Sequence, residues 1–230
     1  ALNEVMWTPP QQHELPEGAR RVAIMHVGGL APGMNTAARA AVRQGIDRGF
    51  EMLGIYGSFE GLMSGNVRQL AWEDVEGWGF DGGAELGTLR PIPRVEEYYA
   101  IGRALEEQRI DALIVIGGYN AYLSINQMRQ ETSRYPAFNI PMICIPASID
   151  NNLPGSELSI GADSALNNAV WALDRIRESA AASRRCFVAD AMGRHCGYLS
   201  LMSGIAAGAE LVYLDENPYD LQDLASDVKM

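Results

Sequence analysis

A polar segment, PASIDNN at 146–152, carries the residue types with the most chemical potential in the sequence. It directly follows an apolar run and contains four polar side chains: Ser148, Asp150, Asn151 and Asn152. Such groups can hydrogen-bond to sugar hydroxyls, and an aspartate can remove a proton from an attacking hydroxyl. The same residue types also favour a turn, which the following Pro154 and Gly155 would continue. From the residues alone, a sugar site and a simple turn both remain open.

A second segment, AMGRHCGYLSL at 191–201, places an arginine and a histidine between two apolar stretches. Arg194 could bind a phosphate, because a guanidinium group matches phosphate oxygens in charge and shape. His195 is more typical of a hydrogen-bonded structural histidine. His13 and His26 are the only other histidines, and their spacing does not form a metal-ligand set.

Two glycine-rich segments could bind an anion. GGLAPG at 28–33 lies between a predicted strand and a predicted helix, whose free N–H groups and dipole favour a phosphate. It matches neither the GxGxxG pattern nor the P-loop. GGAELGTLR at 82–90 ends in Arg90, whose planar guanidinium suits bidentate phosphate binding. A tight strand-to-helix turn and a solvated arginine are the alternatives at these two places.

The elements that would position these segments follow an α/β pattern. Short apolar runs that predict buried strands occur at 22–28, 52–57, 112–118, 141–147, 186–191 and 210–215. Helical periodicity predicts helices over 34–49, 121–134 and 161–182, with a stripe expected to face a sheet: Ala165, Ala169, Leu173 and Ile176. Ligands of parallel α/β folds bind at the carboxyl ends of the strands, where the glycine clusters lie.

Composition excludes several classes of function. Eighteen basic against twenty-nine acidic residues give a net charge of −11, the wrong sign for an extended nucleic-acid surface. No apolar run reaches the roughly 18 residues that would span a membrane. The three cysteines have no CxxC spacing, so a reducing cytoplasm is expected. Residues 1–21, rich in proline and polar residues, are predicted to be a linker.

Taken in order, several segments resemble the 6-phosphofructokinase family, from about Val22 to the end of the chain. They are GGLAPGMN, GSFEGL, GGAELGTLR, IGGYNAY, PASIDNN, PGSELSIGADSALN, AMGRHCGYL and AGAE. The resemblance implies a Rossmann-like parallel-sheet domain over 22–160, followed by the start of a second α/β domain over 161–230. It also implies phosphoryl transfer to fructose 6-phosphate in glycolysis, with ATP and Mg²⁺ for the whole enzyme.

The resemblance also assigns site residues. Asp150 stands at the family's catalytic-base position, and Arg185 matches an arginine that reaches a neighbouring subunit, so a homo-oligomer is expected. The implied nucleotide-binding residues are Gly28, Gly29 and Gly118. The implied residues for a fructose phosphate substrate or bisphosphate effector are Arg90, Ser148, Ile149, Asp150, Asn151, Asn152, Arg185, Met192, Gly193 and Arg194. No metal ligand is assigned.

Three departures from the family pattern concern the phosphoryl donor and its metal. Leu30 replaces the aspartate of GGDAPGMN, Tyr119 lies where GGDG has its aspartate, and Asn152 replaces the second aspartate of TIDND. Losing carboxylates removes the charge that holds a metal, so donor handling should suffer more than sugar binding. This pattern resembles the carboxyl-terminal, regulatory half of duplicated eukaryotic-type enzymes, in which the ancestral active site binds fructose 2,6-bisphosphate. Asp150, however, is retained.

Three functions therefore stay open. The favoured one is a half of an ATP-dependent 6-phosphofructokinase that pairs with another half and binds a fructose phosphate, inactive as an isolated fragment because later sugar-phosphate residues are missing. The second is a catalytically competent half that uses ATP or pyrophosphate, which Asp150 allows. The third is a noncatalytic nucleotide or dinucleotide module, in which Glu51 would be the acidic ribose partner.

Overall fold

The computed structural model describes residue 18 and residues 20–217 and 219–229. These residues form two compact units, the first ending at Ile145 and the second beginning at Pro146. Most of the predicted linker over 1–21 lies outside the described residues. The sequence-based division into domains after residue 160 stays a prediction, and the names first unit and second unit below refer to the two compact units.

The first unit contains a five-stranded sheet. Its strands are β1 (Arg21–Val27), β2 (Glu51–Ile55), β3 (Val67–Gln69), β4 (Ala112–Gly117) and β5 (Met142–Pro146). They lie in the order β3-β2-β1-β4-β5, with β1 parallel to both β2 and β4 and β3 antiparallel to β2. A parallel-dominated sheet with helices confirms the predicted α/β class.

Seven α-helices accompany the sheet in the described residues. They are α1 (Met34–Asp47), α2 (Ser58–Met63), α3 (Tyr98–Glu107), α4 (Tyr119–Gln130), α5 (Ala162–Ser183), α6 (Tyr198–Ala207) and α7 (Leu221–Asp227). The helix α1 begins where predicted because Gly33 adopts a left-handed conformation, with φ 95°, that a side chain would oppose. Its buried residues Ala38, Val42 and Gly45 recur at helical spacing and face the sheet.

The core of the first unit explains why β1 and β4 are almost wholly apolar. Ala23, Met25 and Val27 of β1 pack with Leu113 and Val115 of β4 on one face of the sheet, against buried residues of α2, α3 and α4. The helix α1 contacts β1, β2 and β4, and Ile24 of β1 is fully buried. Strands covered on both faces need apolar side chains at successive positions, since each position points into packed protein.

Two predicted strands of the second unit are wrong. Residues 186–191 and 210–215 have no strand structure, and Phe187 and Val188 are 46% and 72% exposed. A strand forms only when its N–H and C=O groups pair with a neighbouring strand, and in the described part of the chain these runs have none. The predicted stripe of α5 is only half-buried, and α5 packs against the helix α6 instead of a sheet.

His26 is a buried titratable residue within β1. Its side chain is fully buried, and neither ring nitrogen makes a regular hydrogen bond to any described residue. Burial lowers the pKa of His26 to about 4, and a weaker interaction with the Met34 backbone acts in the opposite direction. The imidazole is therefore held neutral, because a charged ring would lose its hydration without gaining a partner.

This burial predicts a loss of stability in mild acid. The folded-state pKa lies below the unfolded value near 6.5, so the unfolded state binds more protons between pH 6.5 and pH 4. The contribution of His26 is complete above about pH 6.5, and by pH 4 the free energy of unfolding falls by about 3 kcal/mol on its account.

Urea unfolding of wild-type protein and of His26→Leu at pH 7 and pH 4 measures this effect, since other groups titrate in both proteins. The leucine variant should lose about 3 kcal/mol less stability over this range. Ser124→Ala, which changes another buried polar residue without a titrating group, should keep the wild-type dependence. Equal pH dependence of His26→Leu and wild type would show that the histidine is not held neutral.

Candidate functional site

The turn from β1 to α1 is joined to the glycine-rich loop at 82–90. The Gly28 N–H donates to the carbonyl oxygen of Leu89 at 2.8 Å, and the Thr88 hydroxyl donates to the Gly28 carbonyl at 3.0 Å. Asn35, buried in the first turn of α1, donates to the carbonyl of Gly82 and accepts from the Glu85 N–H. Sequence reasoning did not single out Asn35, although it lies within the GGLAPGMN segment.

These bonds place Arg90 beside the turn. A methyl group added at Gly29 would lie 3.7 Å from Nη2 of Arg90, and Asn120 Nδ2 donates to the Arg90 carbonyl at 2.7 Å. A methyl group at Gly28 would lie 3.7 Å from the backbone nitrogen of Gly118. The structure thus brings together the four predicted residues of the first unit: Gly28, Gly29, Arg90 and Gly118. A guanidinium beside glycine backbone and the start of α4 suits an anion.

At this edge of the sheet, the two positions where the resemblance expects aspartates carry other side chains. Leu30, after β1, is 61% exposed, and Tyr119, after β4, is 51% exposed. Mg²⁺ prefers carboxylate oxygens and water, which neither side chain supplies in place of an aspartate. Among residues 20–217 and 219–229, no three His, Cys, Asp or Glu side chains cluster to hold a metal. Leu30 and Tyr119 themselves therefore supply no carboxylate ligand for a magnesium ion.

In the second unit, the segment at 146–152 forms a turn held by its own polar groups. The Asp150 N–H donates to the Ser148 hydroxyl at 3.2 Å, while the Ser159 hydroxyl donates to the Ser148 carbonyl at 2.6 Å. Asn151 has a left-handed backbone with φ 51°, and its Oδ1 accepts from the Ser159 N–H at 2.9 Å. The bond from the Asp150 N–H to the Ser148 hydroxyl is a local side-chain turn, as the turn interpretation expects, and the sugar site stays a prediction.

Asp150 itself is half-buried within this turn, and Ile149 beside it is half-buried too. The Asp150 carboxylate accepts no hydrogen bond from any residue that the structure describes. A carboxylate without an internal partner keeps its lone pairs for a substrate hydroxyl or for water.

The loop at 192–197 is bonded to this turn. Asn152 Nδ2 donates to the Arg194 carbonyl at 3.0 Å, and the Cys196 sulfur lies 3.9 Å from the carbonyl oxygen of Asn151. The side chains of Met192 and Arg194 are exposed, and Gly193 lies between them. The two predicted sugar-phosphate segments of the second unit are therefore in contact.

Two acidic residues that sequence reasoning missed hold the same loop. Asp215 lies 3.1 Å from Nδ1 of His195, and Glu216 Oε1 accepts from the Gly197 N–H at 2.7 Å. His195 adopts a left-handed backbone with φ 52°. The signal available in the sequence is an acidic pair that directly follows an apolar run, at the kind of position where ligand-binding loops begin.

Two further residues that the sequence suggested for binding, Arg185 and Glu51, make no hydrogen bond to the segments described above. Arg185 is exposed in an irregular stretch after α5, and its N–H donates to the Ala180 carbonyl, but its side chain bonds to no described residue. Glu51, the proposed ribose partner of a dinucleotide, lies at the amino end of β2 and pairs with Arg21 at 3.1 Å. Because β1 and β2 are parallel, Glu51 lies at the opposite edge from the glycine turn.

No described helix is both long and apolar enough to cross a lipid bilayer.

Known proteins match almost the whole length of this chain. The family model described as Phosphofructokinase covers residues 21–230. This chain belongs to the phosphofructokinase family. The same family includes the platelet-type ATP-dependent 6-phosphofructokinase of Rattus norvegicus, 43% identical over 216 residues, which is 94% of this chain and 27% of the relative. The ATP-dependent 6-phosphofructokinase of Dictyostelium discoideum is 46% identical, over 91% of this chain and 25% of that protein.

Solved phosphofructokinase structures share the fold. The structure of phosphofructokinase from Saccharomyces cerevisiae superimposes with a TM-score of 0.88 at 37% identity, over 96% of this chain and 30% of that one. The chain spans about a quarter of the length of the relatives that it matches. The predicted family is confirmed.

Gly193 tests the packing of the loop at 192–197 in this phosphofructokinase chain. A methyl group there would lie 2.3 Å from the Cys196 carbonyl oxygen, so backbone must move. Gly193→Ala should lower the free energy of unfolding by about 1–3 kcal/mol. Chemical denaturation of both proteins measures the change. Gly82→Ala is the matched control, because open space surrounds Gly82; an equally small effect in both variants would contradict the tight loop.

Proposed function

We propose that this chain is the part of a 6-phosphofructokinase that binds a fructose phosphate, with a degraded site for the phosphoryl donor. The ligand is the substrate fructose 6-phosphate or the effector fructose 2,6-bisphosphate. The observation that carries the proposal is the bond between the two sugar segments of the second unit, Asn152 to Arg194. A turn with the unbonded Asp150 carboxylate and a loop with an exposed arginine offer a sugar phosphate both a hydroxyl partner and a positive charge.

The residues at the expected site of the phosphoryl donor also support this proposal. Phosphoryl transfer depends on a metal that neutralises the phosphate oxygens, and carboxylates hold that metal. Leu30 and Tyr119 expose apolar and aromatic surface at the ends of β1 and β4, where the family has aspartates. ATP and Mg²⁺ belong in this proposal to the whole enzyme, with donor handling assigned to its other half.

The proposal extends to the partners of this chain and to its location in the cell. The proposed assembly is a cytoplasmic homo-oligomer in which this part works beside another phosphofructokinase half. Arg185 would reach the sugar phosphate of a neighbouring subunit, in keeping with its exposed side chain that bonds to no described residue. The isolated fragment is proposed to be inactive, and nucleic acid and membranes are not among its partners.

One observation favours a second candidate, a catalytically competent half. The Asp150 carboxylate accepts no hydrogen bond within the described residues, as a general base for the 1-hydroxyl of the sugar requires. Its test is turnover of the full-length enzyme with Asp150→Asn. The leading proposal expects kcat to stay within about threefold of wild type, whereas a working base would be worth roughly 100-fold or more.

The leading proposal predicts that Arg194 contributes to sugar-phosphate affinity. In the full-length protein, Arg194→Ala should weaken binding of fructose 6-phosphate or fructose 2,6-bisphosphate about 10- to 100-fold, because it removes a charge-assisted contact. Titration calorimetry measures both ligands. Arg103→Ala, which removes an exposed arginine paired with Glu107 on α3, is the control and should bind normally. Wild-type affinity in Arg194→Ala would rule the proposal out.

A further inference from the structure

The outward face of α5 presents an aromatic side chain near the middle of the helix. Trp171 is 58% exposed, and the guanidinium carbon of Arg175 lies 3.4 Å from the centre of its ring. Tryptophan and arginine are among the residue types that contribute most to binding at protein–protein interfaces. We propose that two copies of the chain associate through this face, with their α5 helices antiparallel. This inference rests on the homo-oligomer that the proposed function includes.

The exposed face extends along the whole helix. The residues that share the Trp171 side of α5 at helical spacing are all exposed: Ser164, Asn168, Trp171, Arg175, Glu178 and Ala182. The opposite side of α5 is half-buried, where the helix packs against α6. A helix of 22 residues is about 33 Å long, so the free face is long enough to pair with a helix of equal length.

The charges at the two ends of α5 indicate which partner fits. One exposed tryptophan by itself needs no partner, because single apolar side chains are common on protein surfaces. Asp163 lies in the first turn of α5, and Arg184 directly follows the helix. Both are exposed, and neither forms an ion pair with a described residue. If two such helices pack antiparallel, each Asp163 lies beside the partner's Arg184.

This arrangement is self-complementary, as a two-fold interface between identical copies requires. The same surface carries the acidic and the basic member of each pair, so both end contacts form at once. The midpoint between Asp163 and Arg184 lies about residue 173, close to Trp171 and Arg175. The two indole rings therefore meet at the centre of the interface, where their burial supplies apolar area and the charged ends form the rim.

The helix dipole gives a second explanation of the end charges. An isolated helix also favours an acidic residue in its first turn and a basic residue after its last. That effect acts within one copy, whereas the proposed ion pairs join two copies. Mixing two charge-reversed variants separates the explanations.

Trp171→Ala tests the centre of the interface. In the full-length protein, this change should raise the dissociation constant of the assembly about 30-fold, because it removes the central aromatic contact. Sedimentation equilibrium over a dilution series measures it. Tyr99→Ala is the matched control: Tyr99 is an aromatic residue on α3 that is 69% exposed, and its loss should leave assembly unchanged. Wild-type assembly of Trp171→Ala would overturn the inference, whether solvent or another segment of the same chain covers Trp171.

Charge reversal tests the antiparallel arrangement. Asp163→Arg and Arg184→Glu should each weaken assembly about 10-fold, because like charges then meet at both ends. An equimolar mixture of the two variants should assemble as wild type, since each introduced charge faces an opposite charge on the partner. A mixture as weak as the single variants would show that the charges act within one copy, and would overturn the antiparallel interface.

Titration calorimetry on the same proteins separates this inference from the proposed function. If wild type assembles and binds a fructose phosphate but Trp171→Ala assembles equally well, only the α5 interface is overturned. If wild type binds neither fructose 6-phosphate nor fructose 2,6-bisphosphate, the proposed function is overturned whatever the assembly shows. A wild type that sediments as a single copy would overturn the interface and the homo-oligomer together.

Discussion

Parallel pairing of β1 with β2 and β4 is the constraint on which the first unit depends. Parallel strands run in one direction, so the segments that follow them emerge at one edge of the sheet. That edge holds the glycine turn after β1 and the start of α4 after β4, and the loop carrying Arg90 is fastened to both. The buried faces of the strands in turn explain why His26, enclosed in β1, is held neutral.

The second unit is organised differently, around polar contacts between loops and the packing of α5 on α6. Ser159 and Asn151 hold the turn at 146–152, while Asn152, Asp215 and Glu216 hold the loop at 192–197. Each of these bonds is modest by itself, about 1 kcal/mol, but a lost partner would leave polar groups unsatisfied. The shape of this region therefore depends on the identity of a few side chains.

The three departures from the family pattern differ in physical character. Leu30 and Tyr119 present exposed side chains after β1 and β4, at two positions where the family pattern has aspartates. Asn152 forms a bond that an ionised carboxylate could not form. Leu30 and Tyr119 belong to the first compact unit and Asn152 to the second.

The sequence by itself determined the α/β class, the positions of four of the five strands and the membership of the family, because alternating apolar runs and ordered motifs are local properties of the chain. Its assignment of Arg90, Asp150 and Arg194 to a site stays a prediction. Only the tertiary structure decided that 186–191 and 210–215 are not strands, since pairing depends on a neighbour that a local pattern cannot reveal. It alone connected Asn152 to Arg194 and Asp215 to His195, because these bonds join residues far apart in the chain.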